Sequence, residues 1–169
     1  MINDLEEVRR LAREKEAENL AFRRYLHDHR RPEREFEEIA RQVESAIDCT
    51  RCANCCRALE ADITSAEGEA IAAHLGMPLE AVLRLYTVFD PHTGARTLAQ
   101  RAGACVFLDS NLCLIYDARP RPCRDFPHTH PQGVSLGSRW PSVCRNAEHC
   151  PILYNALEQY KHRLGFRHG

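Results

Sequence analysis

The sequence predicts a mainly α-helical protein with a small β-hairpin, an irregular core ligated by cysteines and an N-terminal helical arm. Apolar residues recur at helical spacing in both terminal segments. Two short apolar runs flank a turn sequence at residues 109–111, which is typical of a hairpin. Nine cysteines, four of them within residues 49–56, indicate a site built from thiols. The 169 residues suit one domain with an appended arm.

Residues 1–47 are predicted to form the arm as two amphipathic helices, near 3–28 and 32–47, joined at 29–31. The helical spacing is clearest in Phe36, Ile39, Ala40, Val43 and Ile47. Nearly half of this segment is charged, whereas only a minority of residues 48–169 are, so a domain boundary is predicted between the two. We expect the arm to pack on the second domain, to associate with a second copy of the chain or to bind a protein partner.

Helix signals follow in the second domain, residues 48–169. Thr64 and Glu67 have the spacing of a capping box that opens a helix, and Gly76 ends it. Pro78 begins the next helix over residues 79–86. A C-terminal helix is predicted from Pro151 to Gly165.

The hairpin is predicted from the apolar runs at residues 104–108 and 112–116. Residues 119–131 are rich in proline, and residues 133–141 have turn chemistry, so both segments are predicted to be irregular.

Charge and composition exclude several classes of function. The formal net charge of −1 gives no electrostatic reason to bind nucleic acid or an acidic membrane surface. No run of apolar residues is long enough to span a membrane, and the charged N-terminus lacks a secretory signal. We therefore expect a cytoplasmic protein. In that reducing compartment an odd number of cysteines indicates metal ligands or redox groups rather than structural disulfides.

The segment 49–56 has the strongest ligand pattern. Its C-x2-C spacing occurs twice, at 49/52 and 52/55, and this spacing lets a tight turn point two sulfurs at one ion. C-x2-C-x2-C is also how a bacterial ferredoxin cluster sequence begins, although here Cys56 follows Cys55 directly. The segment is too rich in cysteine for a regular helix and is predicted to be a loop. Because adjacent side chains in an extended segment point to opposite faces, Cys55 and Cys56 are expected to serve different metal centres.

Five cysteines lie outside that segment. Cys105 and Cys113 are at the two ends of the predicted hairpin, and Cys123 is in the proline-rich segment. Cys144 and Cys150 precede the last helix. Eight thiolates would fill two tetrahedral zinc sites or ligate two cubane clusters. Cys150 is then the ninth cysteine, with no ligand role.

Charged and polar neighbours complete the candidate site. Several arginines lie within four residues of a cysteine and are expected to offset the charge of the thiolates, with Arg121 and Arg124 favoured: Arg51, Arg57, Arg119, Arg121, Arg124 and Arg145. His128, His130 and His149 are substitute ligands. No phosphate loop, nucleophile elbow or HExxH motif is present, so no catalytic residue is predicted.

Four motifs in order resemble the CxxCxxCC family, a zinc- or iron-chelating domain that includes proteins labelled flagellin N-methylase. The motifs occupy residues 49–56, 104–108, 113–116 and 119–127. The resemblance implies metal chelation by eight cysteines: Cys49, Cys52, Cys55, Cys56, Cys105, Cys113, Cys123 and Cys144. The glycine that commonly follows the family's second cysteine is Ala53 here.

Two functional hypotheses remain open. The first is a metal-binding protein whose thiolates hold structural zinc in closed sites. The second is an iron-sulfur redox protein with a 4Fe-4S cluster, or a protein-modifying, methylase-like enzyme. The adjacent cysteine pair and the missing Cys-Pro ending of ferredoxins favour zinc.

Overall fold

The computed structural model describes residues 1–29, 31, 33–130 and 135–168. The chain divides into two compact units. The helical unit comprises Met1–Asp48 and Pro127–Gly169, and the cysteine unit comprises Cys49–Phe126. The helical unit thus combines the predicted arm with the C-terminal part of the chain, whereas the sequence predicted a division between residues 47 and 48.

Helices and short strands alternate with loops along the described residues. The α-helices are α1 (Leu5–Glu14), α2 (Glu16–His29), α3 (Glu33–Ala46), α4 (Asn54–Ala58), α5 (Ser65–Leu75), α6 (Leu79–Tyr86), α7 (Arg121–Asp125), α8 (Leu136–Asn146) and α9 (Pro151–Arg163). The strands are β1 (Thr87–Phe89), β2 (Arg96–Leu98), β3 (Gln100–Arg101), β4 (Ala104–Cys105), β5 (Leu108–Asp109) and β6 (Leu112–Cys113). Single 3₁₀ turns cover Cys49–Arg51 and Tyr116–Ala118. The prediction of a mainly α-helical fold with small hairpins is confirmed.

The core of the helical unit is built on α9, whose first seven residues, 151–157, are all buried, followed by Tyr160 and Lys161. Aromatic rings from other helices close on it. Phe22 meets Tyr160 edge-on at 5.7 Å, and Phe36 meets Trp140 edge-on at 4.8 Å. The apolar face of α3, predicted from its spacing, is buried in this core. These contacts explain why the N-terminal and C-terminal segments form one unit.

The first predicted helix, 3–28, is divided into α1 and α2 at Lys15. The interruption is slight, because the Lys15 N–H donates to Leu11 O at 3.1 Å and the Asn19 N–H donates to Lys15 O at 2.8 Å. The predicted junction at 29–31 includes residue 30, and the next predicted helix starts at residue 32; both residues lie outside the described ranges.

The cysteine unit has its own small apolar core, formed by α5, α6 and the loops beside them. Its buried side chains include Ile71, Val82 and Phe107. The predicted capping box is confirmed, since the Glu67 N–H donates to Thr64 Oγ1 and the Thr64 N–H donates to Glu67 Oε2. Gly76 ends the helix with a φ of 63°, a conformation that favours glycine.

The predicted hairpin is only partly correct. β5 and β6 pair antiparallel around the predicted turn, which places Leu108 opposite Cys113. β4 pairs instead with β3, so residues 104–108 do not form one strand. Ala102 and Gly103 have φ values of 51° and 78°, and this tight turn folds Ala104–Cys105 back on the preceding strand.

Two segments predicted to be irregular contain helices. Within 119–131, α7 carries Pro122 in its first turn, where the missing N–H of proline has no cost. Within 133–141, α8 begins at Leu136 and tolerates Pro141 in its interior, because Leu136, Trp140 and Val143 bury one face. Residues 131–134 lie outside the described ranges. None of the helices in the described part of the chain is both long and apolar enough to cross a membrane.

Candidate metal centre

The segment 49–56 folds as a turn followed by a helix, not as the predicted loop. The N–H groups of Cys52 and Ala53 both donate to Cys49 O at 3.1 Å, which closes the 3₁₀ turn. Ala53 then takes a left-handed conformation with a φ of 48°, and α4 follows it. Because Cys55 and Cys56 lie on a helix rather than an extended strand, their Sγ atoms are 4.0 Å apart. The prediction that these two thiols face opposite ways is therefore wrong.

Four thiols from separate segments lie close enough to influence one another. Cys56 is on α4, Cys105 on β4, Cys113 on β6 and Cys123 on α7. Burial is the main factor that raises the pKa of the last three, and the charge of Cys56 raises each of them further. Cys105 and Cys113 also act on Cys123. We call this set, Cys56, Cys105, Cys113 and Cys123, the thiol cluster.

The thiol of Cys56 is the most acidic of the cluster. Hydrogen bonding with Cys55 lowers its pKa to about 7, against the opposing effect of burial, and the charges of Arg57 and Arg119 lower it further. Burial and the neighbouring thiols raise the pKa of Cys123 to about 12. Cys56 is thus the first of the four to become a thiolate, the form that binds metals.

Arg57 joins the turn that carries the first cysteines to the β5–β6 hairpin. Its guanidinium donates to Cys52 O at 3.1 Å, to Ser110 O at 2.6 Å and to Asn111 Oδ1 at 2.8 Å. The amide of Asn111 donates in turn to Arg51 O at 3.2 Å. These bonds hold two cysteine-bearing segments side by side.

Glu67 makes a similar link to the segment of Cys123. Its Oε1 accepts a hydrogen bond from the Arg121 N–H, at the start of α7, at 2.6 Å. Burial acts to raise the pKa of Glu67, but the bonds from Arg121 and Thr64 outweigh it and the pKa lies below its usual value. The carboxylate form therefore connects the capping box of α5 to the helix that bears Cys123.

The arginines that act on the thiol cluster differ from the two that the sequence favoured. Arg57 and Arg119 act on Cys56, whereas the sequence favoured Arg121 and Arg124. Arg121 donates to Asp125 at 3.0 Å, and Arg124 acts on the pKa of Glu67. Sequence reasoning included Arg57 among the arginines near the cysteines but missed Asn111.

The donor set has the chemistry that zinc and iron require, since it consists of soft sulfur ligands with arginines beside them. All nine cysteines lie in described segments, and none forms a disulfide. Among the described residues, however, no three His, Cys, Asp or Glu side chains are arranged closely enough to hold a metal ion.

Of the remaining predicted ligands, Cys49 is exposed and Cys52 is half-buried on the turn before α4. Cys144 belongs to the helical unit, where its thiol lies 4.0 Å from Asn19 O and burial raises its pKa to about 11. Its role as the eighth ligand stays a prediction. Cys150, the cysteine left over, is buried just before α9.

The three candidate histidines also belong to the helical unit. His130 Nε2 lies 2.7 Å from Glu44 Oε2, and His149 Nε2 lies 3.4 Å from Glu148 Oε1. His128 has a φ of 64°. Their role as substitute ligands stays a prediction.

Comparison with known proteins gives one match. A family model named CxxCxxCC, with the description "Putative zinc- or iron-chelating domain", matches residues 48–151, which is more than half of the chain. The match includes all nine cysteines. No curated protein and no solved structure matches the chain.

Proposed function

The chain belongs to the CxxCxxCC family, and from this premise we propose that it binds zinc through the thiolates of its thiol cluster. The family description supports chelation of zinc or iron without deciding between them. The observation that carries the proposal is that the charge of Cys56 reaches Cys105, Cys113 and Cys123, three thiols from distant positions in the sequence, and raises the pKa of each. Four thiolates are the complete ligand set of a structural zinc site.

The role of zinc here is to hold loops together. β4, β6 and α7 are very short elements, with two to five residues each, so few backbone hydrogen bonds fix their relative positions. A bound ion would join them to α4, and its binding energy would become folding energy. Cys49, Cys52 and Cys55 on the adjoining segment are proposed ligands of a second ion. A reducing compartment such as the cytoplasm would keep all these thiols available.

Arg57 and Arg119 support the same proposal. A zinc ion with four thiolates has two excess negative charges, and burying such a charge is costly unless it is compensated. Both arginines are near enough to Cys56 to lower its pKa. They would offset the charge of the centre and favour the deprotonated ligands.

An iron-sulfur protein is the second candidate. Four thiolates also complete the ligand set of a 4Fe-4S cluster, and the C-x2-C-x2-C spacing that leads into Cys56 favours such a cluster. The chain would then transfer electrons, because a four-iron cluster can change its charge by one electron whereas zinc cannot.

The proposal is tested by elemental analysis and an optical spectrum of protein purified without exposure to air. We expect zinc bound to the chain and no visible colour. Iron and acid-labile sulfide in equal amounts, with visible absorption, would instead show that the chain is an iron-sulfur protein. Protein that folds and contains neither metal would contradict both.

A matched pair of variants tests the ligands. Cys113→Ser removes a member of the thiol cluster and should release most of the metal. Cys150→Ser changes a cysteine of the helical unit and should keep the full metal content per folded chain. Equal metal content in the two variants would rule out the assigned cluster.

A further inference from the structure

Tyr116 is an exposed aromatic residue of the cysteine unit, and an arginine covers one face of its ring. It begins the 3₁₀ turn Tyr116–Ala118, which lies between β6 with Cys113 and α7 with Cys123. The residue is 53 % exposed, and the guanidinium carbon of Arg119 lies over the ring at 3.4 Å from its centroid. The Arg119 Nε–H also donates to Tyr116 O at 2.7 Å. The ring and the carbonyl of one residue thus hold the guanidinium from two directions.

The turn that carries this pair is anchored in the apolar core of the cysteine unit. Ile115, the residue directly before it, is fully buried in that core, and Ala118 packs against the same core. The Ala118 N–H donates to Ile115 O at 2.9 Å and closes the turn. Tyr116 therefore projects from a backbone segment whose position the core fixes.

The charge of Arg119 acts on most of the thiol cluster. Among the described residues its guanidinium has no carboxylate partner, so no ion pair neutralises the charge. Hydrogen bonding is the main influence on the pKa of Cys56, and burial is the main influence on the pKa of Cys113 and Cys123. In all three thiols, the charge of Arg119 acts to lower the pKa. A cation beside these sulfurs favours the thiolate form that binds metals.

We propose that Tyr116 is a positioning residue for the metal centre, because its ring and its carbonyl hold the Arg119 guanidinium beside the thiolates of the thiol cluster. The inference rests on the proposed function. The terminal N–H groups of Arg119 have no acceptor among the described residues and are available for charge-assisted hydrogen bonds to sulfur. A zinc ion with four thiolates has two excess negative charges, so a well-placed guanidinium strengthens metal binding. Tyr116 acts through Arg119 and not on the ion itself.

Zinc affinity of the full chain, measured by chelator competition, tests the charge and the ring separately. Arg119→Gln should weaken zinc binding about 10–100-fold, as the loss of a group that supports metal ligands does. Tyr116→Leu removes the ring but keeps the carbonyl bond, and should weaken binding about fivefold. The double variant should bind zinc no more weakly than Arg119→Gln alone, because the ring acts through the arginine.

A conservative variant and a matched control accompany these measurements. Tyr116→Phe keeps the ring, and the lost hydroxyl has no partner among the described residues, so this variant should keep the wild-type affinity. Phe89 is also an exposed ring beneath an arginine in the cysteine unit, with the Arg96 guanidinium 5.1 Å from its centroid. That pair belongs to β1 and β2, which carry no cysteine. Phe89→Leu should therefore change zinc affinity less than about twofold.

Cobalt(II) in place of zinc gives a spectroscopic signature that a merely structural role would not move. A cation near a thiolate lowers the energy of the sulfur lone pairs, so charge transfer from sulfur to cobalt requires more energy. Arg119→Gln should shift this absorption to longer wavelength, and Tyr116→Leu should shift it part of the way. Tyr116→Phe and Phe89→Leu should leave it unchanged.

The outcomes separate this inference from the proposed function. Equal affinities and equal cobalt spectra for Tyr116→Leu and Phe89→Leu would overturn the positioning role and leave the proposed function intact. Equal losses in Tyr116→Leu and Tyr116→Phe would also overturn it, because the ring would then not be the group that matters. A wild-type chain that binds neither zinc nor cobalt would overturn the proposed function and, with it, this inference.

Discussion

Ala53 adopts a backbone conformation that suits glycine better than alanine. Its φ of 48° lies in the left-handed region, where an L-residue is less stable by about 1–2 kcal/mol. Replacing it with glycine removes this strain but makes the unfolded chain more flexible, which costs about 0.5–1 kcal/mol. We therefore expect Ala53→Gly to raise the free energy of unfolding by about 0.5–1 kcal/mol. Urea titration of the metal-loaded protein measures this change in the free energy of unfolding.

The control for that variant is Ala70→Gly, an exposed position inside α5, where glycine should cost about 1 kcal/mol. The two substitutions are chemically identical and differ in the backbone conformation of the site. A loss of stability at Ala53 as large as that at Ala70 would contradict the strained turn.

Arg57 is expected to act as a positioning residue for the metal ligands. Arg57→Gln loses the bonds to Cys52 O and Ser110 O, so the two cysteine-bearing segments are held less firmly. We predict metal affinity about 10–100-fold lower, with the metal-to-protein ratio unchanged at saturation. Chelator competition measures the affinity. Arg101→Gln, which removes a bond to Leu85 O in the same unit, should leave the affinity within twofold.

The spacing of the cysteines was enough to predict them as metal ligands, but it could not predict which of them lie together. The C-x2-C pattern depends on one local turn, which the sequence contains in full. The approach of Cys56 to Cys113 and Cys123 depends on how α4, β6 and α7 pack, and no local pattern encodes that. Arg57 was missed in its positioning role for the same reason, since its acceptors at residues 110–111 are more than fifty positions away.

Helix ends with strong local signals were predicted correctly, whereas the two helices α7 and α8, which contain proline, were not predicted. The capping box of α5 and its glycine stop agree with the structure because both are local hydrogen-bonding features. α8 was missed because Pro141 and two glycines nearby favour turns, whereas burial of Leu136 and Trp140 stabilises the helix. Burial depends on the rest of the fold, so propensity alone gives the wrong answer there.

Helix α9 carries a carboxylate that should make the helical unit sensitive to acid. Burial acts to raise the pKa of Glu158, but hydrogen bonds from Lys15 and Lys161 outweigh it, and the pKa lies below 4.5. Lys161 is only 4 % exposed and also donates to Glu18 at 2.7 Å. A carboxylate whose pKa is lower in the folded state stabilises the fold above its unfolded pKa, and this contribution is lost as the pH falls through the folded value.

We therefore expect the urea midpoint of the helical unit to fall between pH 6 and pH 3, and Glu158→Gln to reduce that fall. Trp140, the only tryptophan, is buried in this unit and reports its unfolding by fluorescence. Glu38→Gln removes an exposed pair with Arg34, which contributes little, and should leave the pH profile unchanged. Identical profiles for wild type and Glu158→Gln would contradict the stabilising role of the Glu158 carboxylate.

The two compact units of the chain differ in what stabilises them. The helical unit buries several aromatic rings around α9, whereas the cysteine unit has a small apolar core and three two-stranded sheets. The sequence predicted the amphipathic faces of α3 and α9 but not that they share one core. Periodicity shows which face of a helix is apolar and does not show which element covers it.

This difference predicts that metal removal affects the units unequally. A chelator should increase amide hydrogen exchange across Cys49–Phe126, because the ion is expected to hold its loops together. Exchange in α3 and α9 should change little. An equal increase in both units, or none in either, would contradict the proposed stabilisation by metal.

X-ray absorption at the edge of the bound metal reports the atoms that surround the ion and so decides whether the cysteine thiolates bind it. We expect a shell of about four sulfur atoms near 2.3 Å around zinc. That shell should lose sulfur in Cys113→Ser and stay unchanged in Cys150→Ser. A shell made of nitrogen and oxygen alone would contradict the assignment of the thiol cluster as the metal site.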